Sequence, residues 1–202
     1  MRESKVNLTR GFGLLENFLS KKRAAKANSL IPMSLTKGRI LDVGCGSYPY
    51  FLSTSLFKER FGIDPSLDAS LLNSEQKKLK LKKVRIGNSI LPFEDNYFDA
   101  ITMLAVFEHI DYEKLPFVLR EIKRLLKRGG TFVITTPAPW SDRVLHLMAY
   151  TGLISKEEIH EHKHHFSRKD IEKILNDSGF SEDKVKSGFF EGGLNMWFSV
   201  RK

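Results

Sequence analysis

Residues 40–46 read Ile-Leu-Asp-Val-Gly-Cys-Gly, and a single aspartate, Asp64, closes the next short apolar run. No other feature limits the fold as strongly. Ile40, Leu41 and Val43 form a buried-strand pattern, and Gly44 and Gly46 let the backbone turn tightly and approach a ligand with no Cβ in the way. The second run, 60–64, is followed by Pro65. An acid about 20 positions after a glycine-rich strand end is placed to accept two ribose hydroxyls. The pattern predicts a nucleoside-binding α/β domain.

Two nucleosides compete for that loop. A dinucleotide fingerprint needs three glycines; Gly44 and Gly46 supply two, and Pro49 stands at the third place. A pyrophosphate also needs backbone N–H groups at a helix start, and Pro49 has none. S-adenosylmethionine carries no phosphate, so the loop needs only room for ribose and methionine. Asp42 is badly placed for a phosphate and suits an ammonium group, directly or through water. The sulfonium cofactor is therefore the expectation.

With these residues in view, the chain resembles the class I S-adenosylmethionine-dependent methyltransferases from about residue 38 to its end. The glycine motif at 40–46 and Asp64 match the first two motifs of that family. Residues 86–99 (IGNSILPFEDNYFD) resemble the adenine-contact motif running into the fourth strand. Residues 103–109, the 124–130 turn before the fifth strand, and the segments 165–170 and 175–180 follow in the family's order. The resemblance implies a three-layer, Rossmann-like, doubly wound α/β sheet of seven strands with the last antiparallel. It implies a cofactor site formed by Asp42, Gly44, Cys45, Gly46, Asp64, Pro65, Asn88, Ser89 and Leu104. Two positions depart from the pattern: Tyr48 stands where many members have a third glycine, and Asn88 where they carry an aspartate. An Asn can accept from the adenine amino group and donate to a ring nitrogen.

Composition narrows the setting. The chain has 202 residues, enough for one α/β domain with small additions. It lacks an apolar run of spanning length and a signal-peptide pattern at its start, so a cytoplasmic protein is expected. Cys45 is the one cysteine, so neither a disulfide framework nor a cysteine zinc site can form. The net charge of +9 is concentrated in an N-terminal arm (Arg10, Lys21, Lys22, Arg23, Lys26, Lys37) and in the cluster 77–85. Such clusters can meet nucleic acid or anionic lipid. No RNA-binding signature accompanies them, and nucleic acid is not the expected partner.

Along the chain, residues 1–37 read as a helical, basic arm and 38–202 as the methyltransferase-like domain, with a helical insert about 140–165. Phe12, Leu14, Leu15, Phe18 and Leu19 are spaced for the apolar face of a helix within 12–30, which would cap the cleft or dock on the sheet. Strands are expected at 39–43, 60–64, 84–87, 98–104 and 131–136. Helices are expected at 50–57, 67–80, 113–127, 141–151 and 168–176. Leu115, Val118, Leu119, Ile122, Leu125 and Leu126 carry the 113–127 periodicity, with Gly129 and Gly130 as its stop. A terminal hairpin, 184–190 with 194–200, turns around Gly192 and Gly193. Alternating strands and helices imply parallel crossovers, and the hairpin adds the antiparallel strand.

The chemistry needs no covalent step, because a sulfonium already activates the methyl group. The protein must hold an acceptor in line with the S–CH₃ bond and exclude water. A hydroxyl acceptor also needs a base. Glu108 and His109 follow the fourth strand at the carboxyl edge, where open α/β sheets bind ligands. His109 is the first candidate base. The cluster His160-Glu-His-Lys-His-His165 could be read as a metal site, but Lys163 sits within it and nothing nearby completes a ligand set, so no metal is expected. The family resemblance implies instead a lid or substrate-facing loop beside the acceptor pocket, with His165 as a second candidate base. Residues 137–155 are rich in apolar side chains (Trp140, Leu145, Met148, Tyr150) and read as a pocket wall for an apolar, lipid-like or aromatic small-molecule acceptor, or as an amphipathic helix buried on the sheet edge. Contact with anionic head groups is a weaker variant.

The expected activity is methyl transfer from S-adenosylmethionine to a small or lipid-linked metabolite, with oxygen favoured as the receiving atom. The alternatives are an RNA or protein methyltransferase and an inactive cofactor-binding regulatory subunit. The Asn/Asp-Pro-Pro-Tyr type of tetrapeptide that accompanies amino-group methylation is replaced here by Met103-Leu104-Ala105-Val106.

Overall fold

The chain leaves its first strand in one direction and comes back to the other side of it, and this reversal positions everything else. In the computed structural model, which describes residues 16–67, 79–87, 89–141 and 166–202, seven strands form one sheet in the order β3-β2-β1-β4-β5-β7-β6. Strand β1 (Arg39–Val43) pairs in parallel with β2 (Glu59–Ile63) on one side and with β4 (Phe98–Leu104) on the other. The crevice outside the carboxyl ends of β1 and β4 is therefore the switch point where such sheets take ligands. Strand β5 (Leu126–Pro137) extends the parallel set. The hairpin of β6 (Val185–Phe190) and β7 (Asn195–Arg201) closes it, with β7 antiparallel to both neighbours. This is the doubly wound, seven-stranded α/β sheet the sequence implies.

Alternation along each strand assigns the two faces. Leu41, Val43, Ile101, Met103, Phe132 and Ile134 turn toward α3 (Leu115–Leu125) and α4 (Arg168–Asp177). Ile40, Ala100 and Val133 turn toward α1 (Glu16–Leu30) and the short α2 (Tyr50–Thr54). Helix α4 begins at a capping box in which Ser167 and Asp170 satisfy each other's backbone N–H groups.

Several boundaries and one face differ from the sequence reading. The N-terminal helix docks on the sheet through Ala24 and Ala27, not through Phe18, which is 52% exposed. Small side chains let the helix lie close to β4 and β5, which large ones would hold off; Phe12, Leu14 and Leu15 lie outside the described residues. Strand β3 is Leu79–Lys82, not 84–87. Val84 and Ile86 pack against the core from the loop that follows. The strand is the sheet's edge, where alternating lysines discourage further pairing. Those lysines are used at home: Lys80 reaches Glu59 at 2.7 Å and lies 4.8 Å from the centre of the Phe61 ring, and Lys82 lies 4.9 Å from that of Phe93. Helix α3 stops at Leu125, before the glycine pair. Gly129, at φ 77°, instead turns the start of β5, and a Cβ on Gly130 would come within 2.9 Å of the Asp99 carbonyl. The helix expected at 67–80 is contradicted at its end, where Leu79 and Lys80 already belong to β3; its residues 68–78, and 142–151 of the helix expected at 141–151, fall outside the described residues. Among the described residues no helix is long and apolar enough to cross a membrane.

Candidate cofactor and acceptor site

The loop after β1 is built by two glycines with different tasks. Both adopt positive φ, 77° at Gly44 and 75° at Gly46. A Cβ on Gly44 would stand 2.3 Å from Val106 Cγ2, whereas one on Gly46 would meet nothing within 4 Å. Gly44 is thus required by packing, and Gly46 borders open space. The N–H groups of Gly44 and Cys45 both donate to the Ile63 carbonyl, at 2.8 and 3.2 Å, which pins the loop to the end of β2.

Asp64 completes that connection. It is 5% exposed and accepts from the Gly46 N–H at 2.9 Å on Oδ2. Its Oδ1 accepts from the Ser66 N–H at 2.7 Å and from the Ser66 hydroxyl. The sequence places Asp64 at the cleft; the structure adds that its carboxylate also holds the loop and the following turn together. Asp42 is buried beneath the same loop, and its Oδ1 accepts from the Thr102 hydroxyl at 2.7 Å. Burial pushes the Asp42 carboxyl up to about 7, with the Thr102 bond opposing and the Asp64 charge adding. The Cys45 thiol is raised far above its usual value, chiefly by burial. It packs in the core beside Phe51 and Leu52, so its backbone is the part that borders the cleft.

The loop of the adenine-contact motif is held by a pair that the sequence reading missed. Arg124 donates to the carbonyls of Phe93 (3.0 Å) and Leu91 (3.2 Å), to Asp95 (2.6 Å) and to Glu121 (2.8 Å). Glu121 in turn accepts from the Leu91 N–H at 3.0 Å. The Arg124 bond holds the Glu121 carboxyl below its usual range, and the Glu121 bond raises Arg124. The available signal was an acid among the buried positions of an otherwise apolar helix face, three residues before an arginine.

At the carboxyl end of β4 the chain turns sharply. Ala105 has φ 54°, and its N–H donates to the Thr135 carbonyl at 2.9 Å. The 3-10 turn Phe107–His109 follows. Glu108 is 3% exposed; its Oε2 accepts from the Thr136 hydroxyl at 3.0 Å, while its Oε1 is buried with no hydrogen-bond partner. His109 is half-buried, with its N–H donating to the Val106 carbonyl at 3.0 Å.

The fold therefore gathers Asp42, Gly44, Cys45, Gly46, Asp64, Pro65, Leu104 and His109 along the carboxyl edge around the switch point. Ser89 is exposed on the loop between β3 and β4. Asn88 and His165, with the other cluster histidines, lie outside the described residues. Among the described residues no group of three or more His, Cys, Asp or Glu is placed to hold a metal ion. S-adenosylmethionine fits what is present: open space at Gly46, carboxylates at Asp64 and Asp42, and Pro49 without an N–H where a pyrophosphate would need one.

Comparison with known proteins agrees. A methyltransferase-domain family model matches residues 15–185. The chain belongs to that family and is a class I S-adenosylmethionine-dependent methyltransferase domain. An uncharacterized protein of Methanocaldococcus jannaschii is 36% identical over 95 residues, which are 47% of this chain and 39% of that protein. The chain thus spans well under half the length of this relative. The demethylmenaquinone methyltransferase of Staphylococcus saprophyticus is 28% identical over 214 residues, covering 93% of this chain and 90% of that one. The solved S-adenosylmethionine-dependent methyltransferase of Archaeoglobus fulgidus superposes with a TM-score of 0.68 at 19% identity, over 93% of this chain and 95% of that one.

Proposed function

We propose that this protein transfers a methyl group from S-adenosylmethionine to a hydroxyl of a small or lipid-linked metabolite. The observation that carries the reading is the shared edge. The glycine loop and the turn bearing Glu108 and His109 meet at the carboxyl ends of β1 and β4, so a cofactor and an acceptor can face each other there.

When bound, the cofactor supplies a methyl group activated on sulfur. Asp64 would receive the ribose hydroxyls and Asp42 the ammonium end, with Ser89, Asn88 and Leu104 as the further candidate contacts. Asp64 already holds Gly46 and Ser66 without a ligand, so the loop that would meet the ribose is ordered beforehand. His109 takes the proton of the acceptor hydroxyl as the new bond forms, with His165 as the second candidate base. The relative from Staphylococcus, a demethylmenaquinone methyltransferase, supports a small-molecule acceptor. Two of the lysines in the 77–85 cluster are committed to Glu59 and to ring faces, which weighs against a nucleic-acid track there.

The test is to incubate the protein with methyl-labelled cofactor and cell extract, and to separate small molecules from macromolecules. Label should enter the small-molecule fraction. Label in RNA or protein would favour the macromolecular alternative, and none in either would favour an inactive cofactor-binding subunit. With the acceptor in hand, His109→Ala should lower turnover by about 100-fold or more, the usual effect of losing a general base, with cofactor affinity nearly unchanged. Unchanged turnover would make His109 structural.

A further inference from the structure

Beyond the cofactor loop, on the α1 face of the sheet, two buried oxygens lack partners and the backbone beside them is strained. Val133 on β5 turns to that face, and so does Trp197 on β7, whose ring lies 4.6 Å from the Lys26 ammonium of α1. Alternation puts Thr135 and Asn195 on the same side. Thr135 pairs with Trp197, so Asn195 is its diagonal neighbour at about 7–8 Å. Thr135 is fully buried and its hydroxyl has no hydrogen-bond partner.

The turn between β6 and β7 repeats the pattern. Asn195 donates through Nδ2 to Glu191 Oε2, while Glu191 Oε1 is buried without a partner. Glu191 itself has φ 54°, followed by Gly192 at 65° and Gly193 at 93°. Left-handed backbone costs a non-glycine residue roughly 1–2 kcal/mol, so a side chain is held here at a place that glycine would occupy without strain. The turn lies against Trp140: a Cβ on Gly193 would be 3.1 Å from the indole, which is itself 52% exposed. Buried polar atoms are nearly always bonded, and exceptions call for an explanation.

We propose that Thr135 and Glu191 form the acceptor's recognition subsite, which takes a flat hydroxyaryl group, a phenol or quinol, laid on Trp140 with a hydroxyl donating to Glu191 Oε1. The Thr135 hydroxyl donates to an oxygen of the same ring system. A neutral donor suits Glu191 better than an organic cation, because Lys22 and Arg23 already set positive charge beside it. Thr135 also pairs across β4 with Leu104, about 5 Å away, so the subsite adjoins the cofactor end of the cleft. This deepens the methyl-acceptor reading and rests on it.

The test uses naphthohydroquinone, kept reduced, and its dimethyl ether, which differs only in lacking the two donors. Each is titrated calorimetrically into the full chain saturated with S-adenosylhomocysteine. The diol should bind at least about tenfold more tightly than the diether, as expected for a hydrogen bond to a charged acceptor. Glu191→Gly tolerates positive φ and keeps the turn, and Thr135→Val keeps the strand. Glu191→Gly should weaken the diol by about 10-fold or more and leave the diether where it was, whereas Thr135→Val should weaken both, since each keeps a ring oxygen that accepts from Thr135; neither should change S-adenosylhomocysteine affinity. Trp140→Ala should weaken both rings. No diol binding by the loaded wild-type protein, equal binding of diol and diether, or full diol binding by Glu191→Gly would each overturn the subsite. Lost S-adenosylhomocysteine binding in the wild-type protein would instead strike the cofactor reading. Diol binding without methylation would leave the subsite standing and remove the O-methyl acceptor.

Discussion

The two halves of the carboxyl edge treat polar atoms in opposite ways. On the β1–β2 side, Asp64 ties Gly46 to Ser66, and Asp42 is tied to Thr102, so the loop is fixed before any ligand arrives. On the β4–β5–β7 side, Glu108 Oε1, Thr135 Oγ1 and Glu191 Oε1 are buried with no hydrogen-bond partner, and two non-glycine residues, Ala105 and Glu191, sit at positive φ. Preformed bonding suits a ligand that is the same at every turnover. Unsatisfied bonding suits one whose own groups complete the site, and it costs stability until they do.

Substitutions can break this contrast. Gly44→Ala should have the largest effect, because its Cβ would overlap Val106 and the residue would keep a strained φ. A loss of about 2–5 kcal/mol is expected from overpacking and left-handed backbone together, read as a large drop in denaturation midpoint. Gly46→Ala carries the backbone term alone, roughly 1–2 kcal/mol, and should lose cofactor affinity more than stability. If the two variants lost stability equally, the distinction between packing glycine and cleft glycine would fail. Arg124→Ala comes next. It frees the Leu91 and Phe93 carbonyls and leaves Glu121 without its cation; since Arg124 is partly exposed, about 1–3 kcal/mol is expected. Arg124→Lys should recover little of it, as one ammonium cannot replace a fork that reaches four acceptors.

The smallest effect is a pH dependence. Asp42 has a folded value of about 7, well above its unfolded value. Its contribution to the stability of the ligand-free protein is therefore fully present below about pH 4 and is lost as pH rises through 7. Cofactor binding should run the other way, because an ammonium needs the ionised carboxylate. S-adenosylhomocysteine affinity should fall by up to about tenfold per pH unit below 7, and Asp42→Asn should flatten that profile. A slope that survives in Asp42→Asn would assign the titration to another group.

Much of this architecture was legible in the sequence because it depends on local chemistry. The strand 98–104 and the β1–glycine–Asp64 unit are encoded by apolar alternation, turn-forming glycines and spacing, and the fold holds them nearly unchanged. What was not legible depends on contacts across the fold. Lys80 and Lys82 looked like a helix leading into a strand, and only the aromatic rings beneath them explain an edge strand at 79–82. The α1 face was misread because Phe18 outranks Ala24 in hydropathy, while close docking favours the smaller residue. Thr135 and Glu191 belong to no motif, and Arg124 stood only as the start of the 124–130 turn; their meaning comes from carbonyls, registers and turns brought together by tertiary structure.

The central claim is that the carboxylate ending β2 holds the cofactor's ribose. Titrating wild type and Asp64→Ala with S-adenosylhomocysteine, with circular dichroism alongside, tests it most directly. Each hydrogen bond to a charged acceptor contributes on the order of 1.5–3 kcal/mol, so the variant should bind about 10–100-fold more weakly or worse. Part of that loss reflects the released Gly46 and Ser66 N–H groups, and Asp64→Asn, which keeps one acceptor oxygen, should lose less. A folded Asp64→Ala protein that binds S-adenosylhomocysteine as tightly as wild type would contradict the account, because the ribose would then be held elsewhere.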